Sequence, residues 1–187
     1  MNPEAAPALR LRVCAVSYLN SAPLVWGMLY GPQRGLFELE FAAPAQCAER
    51  LAAGQADIGL APSIELARQG MEVISPWGVA CLGAVRSILL ISRVKPGRIR
   101  TLAADSNSRT SVALAQILLQ ERFGVRPALV SKAPDLPAML EVADAALLIG
   151  DPALRLNVEA LPYQVLDLGR EWTELTGLPM VFAVWAG

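Results

Sequence analysis

Along nearly its whole length this chain alternates short apolar, β-rich runs with helical stretches, and that rhythm restricts its fold more than any other feature. Leu11–Val16 reads as a buried strand and 23–30 as a helix with proline in its first turn, where the missing N–H costs nothing. Phe37–Ala42 reads as a strand, 44–53 as a helix stopped by Gly54, 57–61 as a strand and 62–68 as a helix stopped by Gly70. Segments 72–75, 79–85 and 87–92 are strand-like. A polar stretch, Arg93-Val-Lys-Pro-Gly-Arg98, then interrupts the pattern. Beyond it the rhythm restarts, with strands at 99–103, Ala128–Ser131, Ala145–Ile149, 164–168 and 180–185 and a long helix over 111–123. Strands alternating with helices predict an α/β fold with mainly parallel sheets covered on both faces. The Pro-Gly break divides it: 1–92 as a first α/β lobe, 93–98 as a hinge, 99–180 as a second lobe and 181–187 as the start of a return crossover.

Composition removes several function classes. The 16 basic and 17 acidic residues leave a net charge of −1, so no basic field exists to collect nucleic acid. Histidine is absent, which excludes Ser-His-Asp triads, Cys-His dyads and His-ligated metals. Neither a G-x-x-x-x-G-K-[ST] loop nor a G-x-G-x-x-G turn occurs, so nothing in the sequence calls for a nucleotide, a metal or another cofactor. Cys14, Cys47 and Cys81 lie 33 and 34 residues apart in apolar stretches and read as buried free thiols. The N-terminus carries Glu4 before any positive charge and has no apolar core of a signal peptide. The longest apolar runs are far shorter than the ~20 residues of a membrane helix. A cytoplasmic protein with no membrane partner is the expectation.

Polar loops at strand ends are where open α/β sheets bind ligands. Five stand out: Ser17-Tyr-Leu-Asn-Ser21, Pro62-Ser63, Arg86-Ser87, Asp105-Ser-Asn-Ser-Arg-Thr-Ser111 and Gly150-Asp-Pro152. The fourth opens the longest helix. Its hydroxyls and the free N–H groups of a helix start make an anion site, and with no positive run beside it a carboxylate fits better than a polyphosphate. The plainer reading is an ordinary N-cap at Ser108 or Thr110, and Asp151 before Pro152 is equally readable as an N-cap. Shared position at strand ends, divided between two lobes, favours a small anionic ligand in an interlobe cleft.

Six segments occur in the order seen in one family: Val16-Ser-Tyr-Leu-Asn-Ser-Ala-Pro23, Leu60-Ala-Pro-Ser63, Arg86-Ser-Ile-Leu-Leu-Ile-Ser-Arg93, Ser108-Arg-Thr-Ser-Val112, Leu147-Leu-Ile-Gly-Asp-Pro-Ala-Leu154, and the stretch from Asp167-Leu-Gly-Arg-Glu-Trp to Thr-Gly-Leu-Pro-Met-Val-Phe-Ala-Val-Trp185. The chain resembles the chorismate dehydratase family of the futalosine route to menaquinone, over nearly everything after Arg10. The Tyr-Leu-Asn and Thr-Gly-Leu-Pro segments are specific to that family. The resemblance implies a two-lobe periplasmic-binding-protein type II fold. It implies a hydro-lyase that removes water from chorismate to give 3-[(1-carboxyvinyl)oxy]benzoate without metal or organic cofactor. Asn20 and Ser87 match the family's active-site positions. Ser108, Thr110 and Ser111 match the part that meets the substrate from the second lobe, with Thr110 and Ser111 as carboxylate contacts. Asp151 matches a further cleft position, and Ser63, in the Leu60-Ala-Pro-Ser63 segment, is expected to bind substrate with it. The proton acceptor thought to serve in the family is the substrate's own enolpyruvyl carboxylate, so the lack of histidine is no obstacle.

Family members run well past residue 187. The first lobe is therefore expected to lack a returning segment, to expose an apolar face, and to recruit a second chain as a dimer. Two other readings share the fold. A non-catalytic solute-binding protein would carry a signal peptide or lipobox, and the sister enzyme making dihydroxynaphthoate is expected to rely on histidine.

Overall fold

The computed structural model describes residues 10–105 and 108–187. In chain order its elements are β1 Leu11–Val16, α1 Ala22–Tyr30, β2 Phe37–Ala42, α2 Pro44–Ala52, β3 Ile58–Pro62, α3 Ile64–Gln69, β4 Val73–Cys81 and β5 Ile88–Ser92. There follow β6 Thr101–Ala104, α4 Arg109–Phe123, β7 Ala128–Ser131, α5 Leu136–Val142, β8 Ala145–Ile149, α6 Asp151–Leu154, β9 Gln164–Asp167, α7 Leu168–Thr176 and β10 Met180–Ala186. The strands form two five-stranded sheets, ordered β2-β1-β3-β10-β4 and β7-β6-β8-β5-β9.

Each sheet is mostly parallel with one opposed strand, and that strand is the one that has just crossed from the other lobe. β10 runs antiparallel to β3 and β4, while β1, β2 and β3 are parallel. β5 runs antiparallel to β8 and β9, while β6, β7 and β8 are parallel. Two covalent crossings therefore join the lobes, at 82–87 and at 177–179.

This corrects the expected hinge. Residues 93–98 lie inside the second lobe and form a turn between β5 and β6, containing a short 3₁₀ helix at Pro96–Arg98. The physical reason is burial. Ile88, Leu89, Leu90, Ile91 and Ser92 are all buried, Ile88 and Leu90 on one face of the sheet and Leu89 and Ile91 on the other. A strand apolar on both faces needs an internal place in a covered sheet, and β5 finds it between β8 and β9. β4 has the opposite character. It is one continuous, largely exposed edge strand through Pro76, where two separate strands were expected, and an edge is where proline is tolerated.

The first-lobe core gathers Val13, Cys14, Val16, Val25, Cys47 and Leu60 around β1 and β3, with Trp185 of β10. Cys14 and Cys47 are buried free thiols, whereas Cys81 is half-buried. In the second lobe α4 lays Leu114, Ala115, Leu118 and Leu119, one helical face, on the sheet. Tyr18 packs against the cores of both lobes. Around α1 the first lobe leaves Leu19, Trp26, Tyr30 and Phe41 exposed, and Trp77 of β4 is 71% exposed.

Candidate active site

A cleft opens between the lobes, the kind of concave site in which small ligands bind. Asn20, Ser87, Ser108, Thr110 and Ser111 all line it, joined by Tyr18, Ser21, Arg109 and Gly150. Five of the seven residues singled out in the sequence thus converge. Ser63 and Asp151 are not on this lining. The Ser63 hydroxyl donates to the carbonyl of Val181 at 2.7 Å and ties α3 to β10. Asp151 faces the neighbouring groove beside Trp26 and Tyr30, and its Oδ1 accepts the N–H of Leu19 at 3.3 Å. It is the first residue of α6 after Gly150, not the N-cap.

The start of α4 carries the clearest ligand signal. Helix geometry leaves the N–H groups of its first turn without intrahelical carbonyls. Ser108 occupies the N-cap position, is 4% exposed, and makes no capping bond. Its Oγ is buried without a hydrogen-bond partner among the described residues. A buried orphan hydroxyl is costly unless a ligand completes it, and this one lines the cleft. Thr110 Oγ1 accepts the N–H of Ile64 across the cleft at 3.3 Å and keeps its own proton to donate. Asp105 lies just ahead of this start, and residues 106 and 107, which belong to the same sequence loop, fall outside the described residues.

Ser87 sits at the end of the first crossing, 6% exposed. Its carbonyl accepts the N–H of Gly150 at 2.7 Å. Gly150 has φ +62°, and a Cβ there would stand 3.1 Å from the Tyr18 ring, so this strand end is reserved for glycine. Asn20 lies in the 3₁₀ turn Leu19–Ser21 that leads from β1 into α1, and its Oδ1 accepts the Ser21 hydroxyl at 3.4 Å. The pKa of the Tyr18 phenol is raised above its ordinary value, by burial first and then by Asp105 and Asp151, so it stays protonated and keeps its proton to donate. The lining holds no carboxylate, lysine or cysteine among the described residues. Among those residues no cluster of three or more His, Cys, Asp or Glu is placed to hold a metal.

Sequence reasoning missed Arg109, Tyr18 and Asp167. Arg109 stood within a quoted motif, but only the fold shows that it faces both the cleft and the first lobe. Asp167 closes β9 in sequence, yet it accepts N–H bonds from Val85 and Arg86, 82 and 81 residues away.

Two α/β lobes around a cleft that Asn20, Ser87 and the start of α4 edge make this a binding-protein-type fold. The solved structures agree: a protein from Archaeoglobus fulgidus superposes with TM-score 0.73 at 18% identity, over 97% of this chain and 69% of that one. The periplasmic aliphatic sulphonate binding protein of Escherichia coli superposes with TM-score 0.63 at 16% identity, over 95% and 61%. Residues 11–187 match the model of a family described as Menaquinone biosynthesis, and the chain belongs to that family. It is 30% identical over 167 residues to the chorismate dehydratase of Thermus thermophilus, covering 80% of this chain and 61% of the relative. It is 28% identical over 172 residues to that of Campylobacter jejuni, covering 90% and 63%. The chain thus spans about three-fifths of the length of these relatives. Among the described residues no helix is long and apolar enough to cross a membrane.

Proposed function

We propose that the cleft binds chorismate and that the protein is a hydro-lyase, eliminating water to give 3-[(1-carboxyvinyl)oxy]benzoate. The observation that carries this reading is the orphaned Ser108 hydroxyl at the start of α4, beside Thr110 and Ser111, in a cleft lined also by Asn20 and Ser87. Family membership and two relatives named chorismate dehydratase support it.

The reaction breaks the C3–H bond, forms the C3–C4 π bond and expels the C4 hydroxyl, so a proton and hydroxide leave as water and the ring becomes aromatic. The ring carboxylate is assigned to Ser108, Thr110, Ser111 and the first-turn N–H groups. Fixed donors there stabilise the charge that flows toward that carboxylate as C3 loses its proton. The described lining offers no titratable base, and Tyr18 is held protonated. The substrate's enolpyruvyl carboxylate is therefore assigned as the proton acceptor. Asn20 and Ser87 hold the reacting side, orienting that carboxylate against C3 and donating to the leaving hydroxyl. Ser63 and Asp151 act from outside the cleft, Ser63 by fixing α3 to β10 and Asp151 by holding the turn that carries Asn20. A cytoplasmic location fits a soluble substrate of this kind.

Incubating the protein with chorismate and following the aromatic product by chromatography with mass detection tests the proposal. Product formation that Asn20→Ala and Ser87→Ala each reduce by a hundredfold or so is expected. A folded protein that binds chorismate without turning it over would support a solute-binding role instead.

A further inference from the structure

Arg109 begins α4 in the second lobe, yet its guanidinium lies against the first. It pairs with Glu49 of α2 and, at 3.3 Å, with Glu65 of α3. The two carboxylates differ in kind. The Glu49 side chain is 59% exposed, so its pairing contributes little. The Glu65 side chain is 2% exposed and is met also by Arg68 at 3.4 Å and by Gln69. A buried carboxylate is costly to leave short of a partner. Opening the cleft would pull Arg109 from it, so the Arg109–Glu65 pair favours the closed arrangement. The same contact aims the turn that binds: Thr110, next to Arg109, accepts the N–H of Ile64, next to Glu65, at 3.3 Å.

We propose that Glu65 is a positioning residue which, through Arg109, locks the start of α4 against the first lobe and so sets the geometry of the anion site. Glu65 is not on the cleft lining, whereas Arg109 is. Its influence on the ligand is therefore indirect. The kinetic part of the inference rests on the dehydratase reading; the conformational part does not.

The test compares Glu65→Gln, Arg109→Gln, Arg109→Lys, Glu49→Gln and the Glu65→Gln/Arg109→Gln double variant. Two readouts are used: hydrogen exchange without substrate, and KM and kcat for chorismate. The exchange reporter is the Leu19 amide, which donates from the first lobe to Asp151 of the second in the neighbouring groove and is remote in sequence from Glu65. In Glu65→Gln and Arg109→Gln, exchange at Leu19 is expected to quicken by roughly fivefold or more, while the buried β6 amides stay protected as a check on folding. KM is expected to rise roughly five- to tenfold with kcat within about twofold, the loss of one charge-assisted bond. Arg109→Lys should recover part of the effect, Glu49→Gln should stay within about twofold, and the double variant should be no worse than Arg109→Gln alone. Unchanged exchange at Leu19 in both single variants would overturn the proposal, as would fully additive KM effects, which would show Arg109 acting independently of Glu65. Should Glu65→Gln fail to fold, the partly exposed Arg109→Gln carries the exchange test. A wild-type protein inert toward chorismate refutes the dehydratase reading and leaves the exchange test standing.

Discussion

Asp167 accepts the N–H of Arg86 at 2.6 Å, and Arg86 is a non-glycine residue with a left-handed backbone, φ +61°. The same carboxylate takes the N–H of Val85 and caps α7 through Gly169 and Arg170. One side chain at the end of β9 thus ties the first crossing to the second lobe and holds a strained residue immediately before Ser87. Close packing reinforces it: a Cβ on Gly169 would lie 2.6 Å from Cys81 Sγ, and Gly83 N–H donates to Thr173 Oγ1 at 2.8 Å. Strain of this sort persists only where the surroundings fix it.

Arg86→Gly is expected to raise stability by about 1 kcal/mol, because glycine adopts a positive φ without a Cβ penalty. It should also lower turnover, since Ser87 is then less rigidly held. Asp167→Ala should cost roughly 3 kcal/mol through the loss of several charge-assisted bonds to N–H groups. Urea denaturation of the three proteins, read beside the chorismate assay, checks both signs.

Ser108→Ala separates a ligand contact from a cap. An N-cap serine that bonds its helix costs about 1 kcal/mol to remove. Ser108 makes no such bond and its hydroxyl is orphaned, so the alanine variant should be as stable as wild type or slightly more so. Chorismate binding should weaken roughly tenfold. A loss of stability without a change in binding would assign Ser108 to capping alone.

Acid should loosen the first lobe through Asp57. The bidentate Arg12 side chain and the Arg12 N–H lower its pKa to about 2. A carboxyl depressed on folding stabilises the fold fully above its unfolded value near 4, and that contribution is lost as pH falls from there toward 2. Asp57→Asn should be less stable than wild type at pH 7 and the gap should close by pH 2. Thermal melts across pH 2–7 measure it.

The apolar face of the first lobe should drive self-association of the 187-residue chain. The Trp26 and Tyr30 rings meet at a centroid distance of 4.6 Å, tilted by 48°, on the exposed side of α1, beside Leu19 and Phe41. Light scattering is expected to give a mass above the 20.0 kDa of one chain, and Trp26→Ser with Tyr30→Ser should return it to the monomer. A monomer in both proteins would show that this face needs no second copy.

Local patterning determined the elements. The apolar runs at Leu11–Val16 and Ala145–Ile149 and the helix ending at Gly124 are legible because period, caps and glycine stops act within a few residues. The strand-end loops, and the hydroxyl-rich start of α4, were legible for the same reason. Where the chain changes lobe was decided only by tertiary structure. The Pro-Gly segment at 93–98 has the composition of a hinge, but Ile88–Ser92 is apolar on both faces and finds cover only between β8 and β9, so the crossing falls earlier. The long-range partners belong to that same level. Glu65 meets Arg109, Asp167 meets Arg86 and Asp151 meets Leu19 across 44 to 132 residues of chain, and such pairs exist only once two sheets have packed and brought distant backbone and side chains within hydrogen-bonding reach.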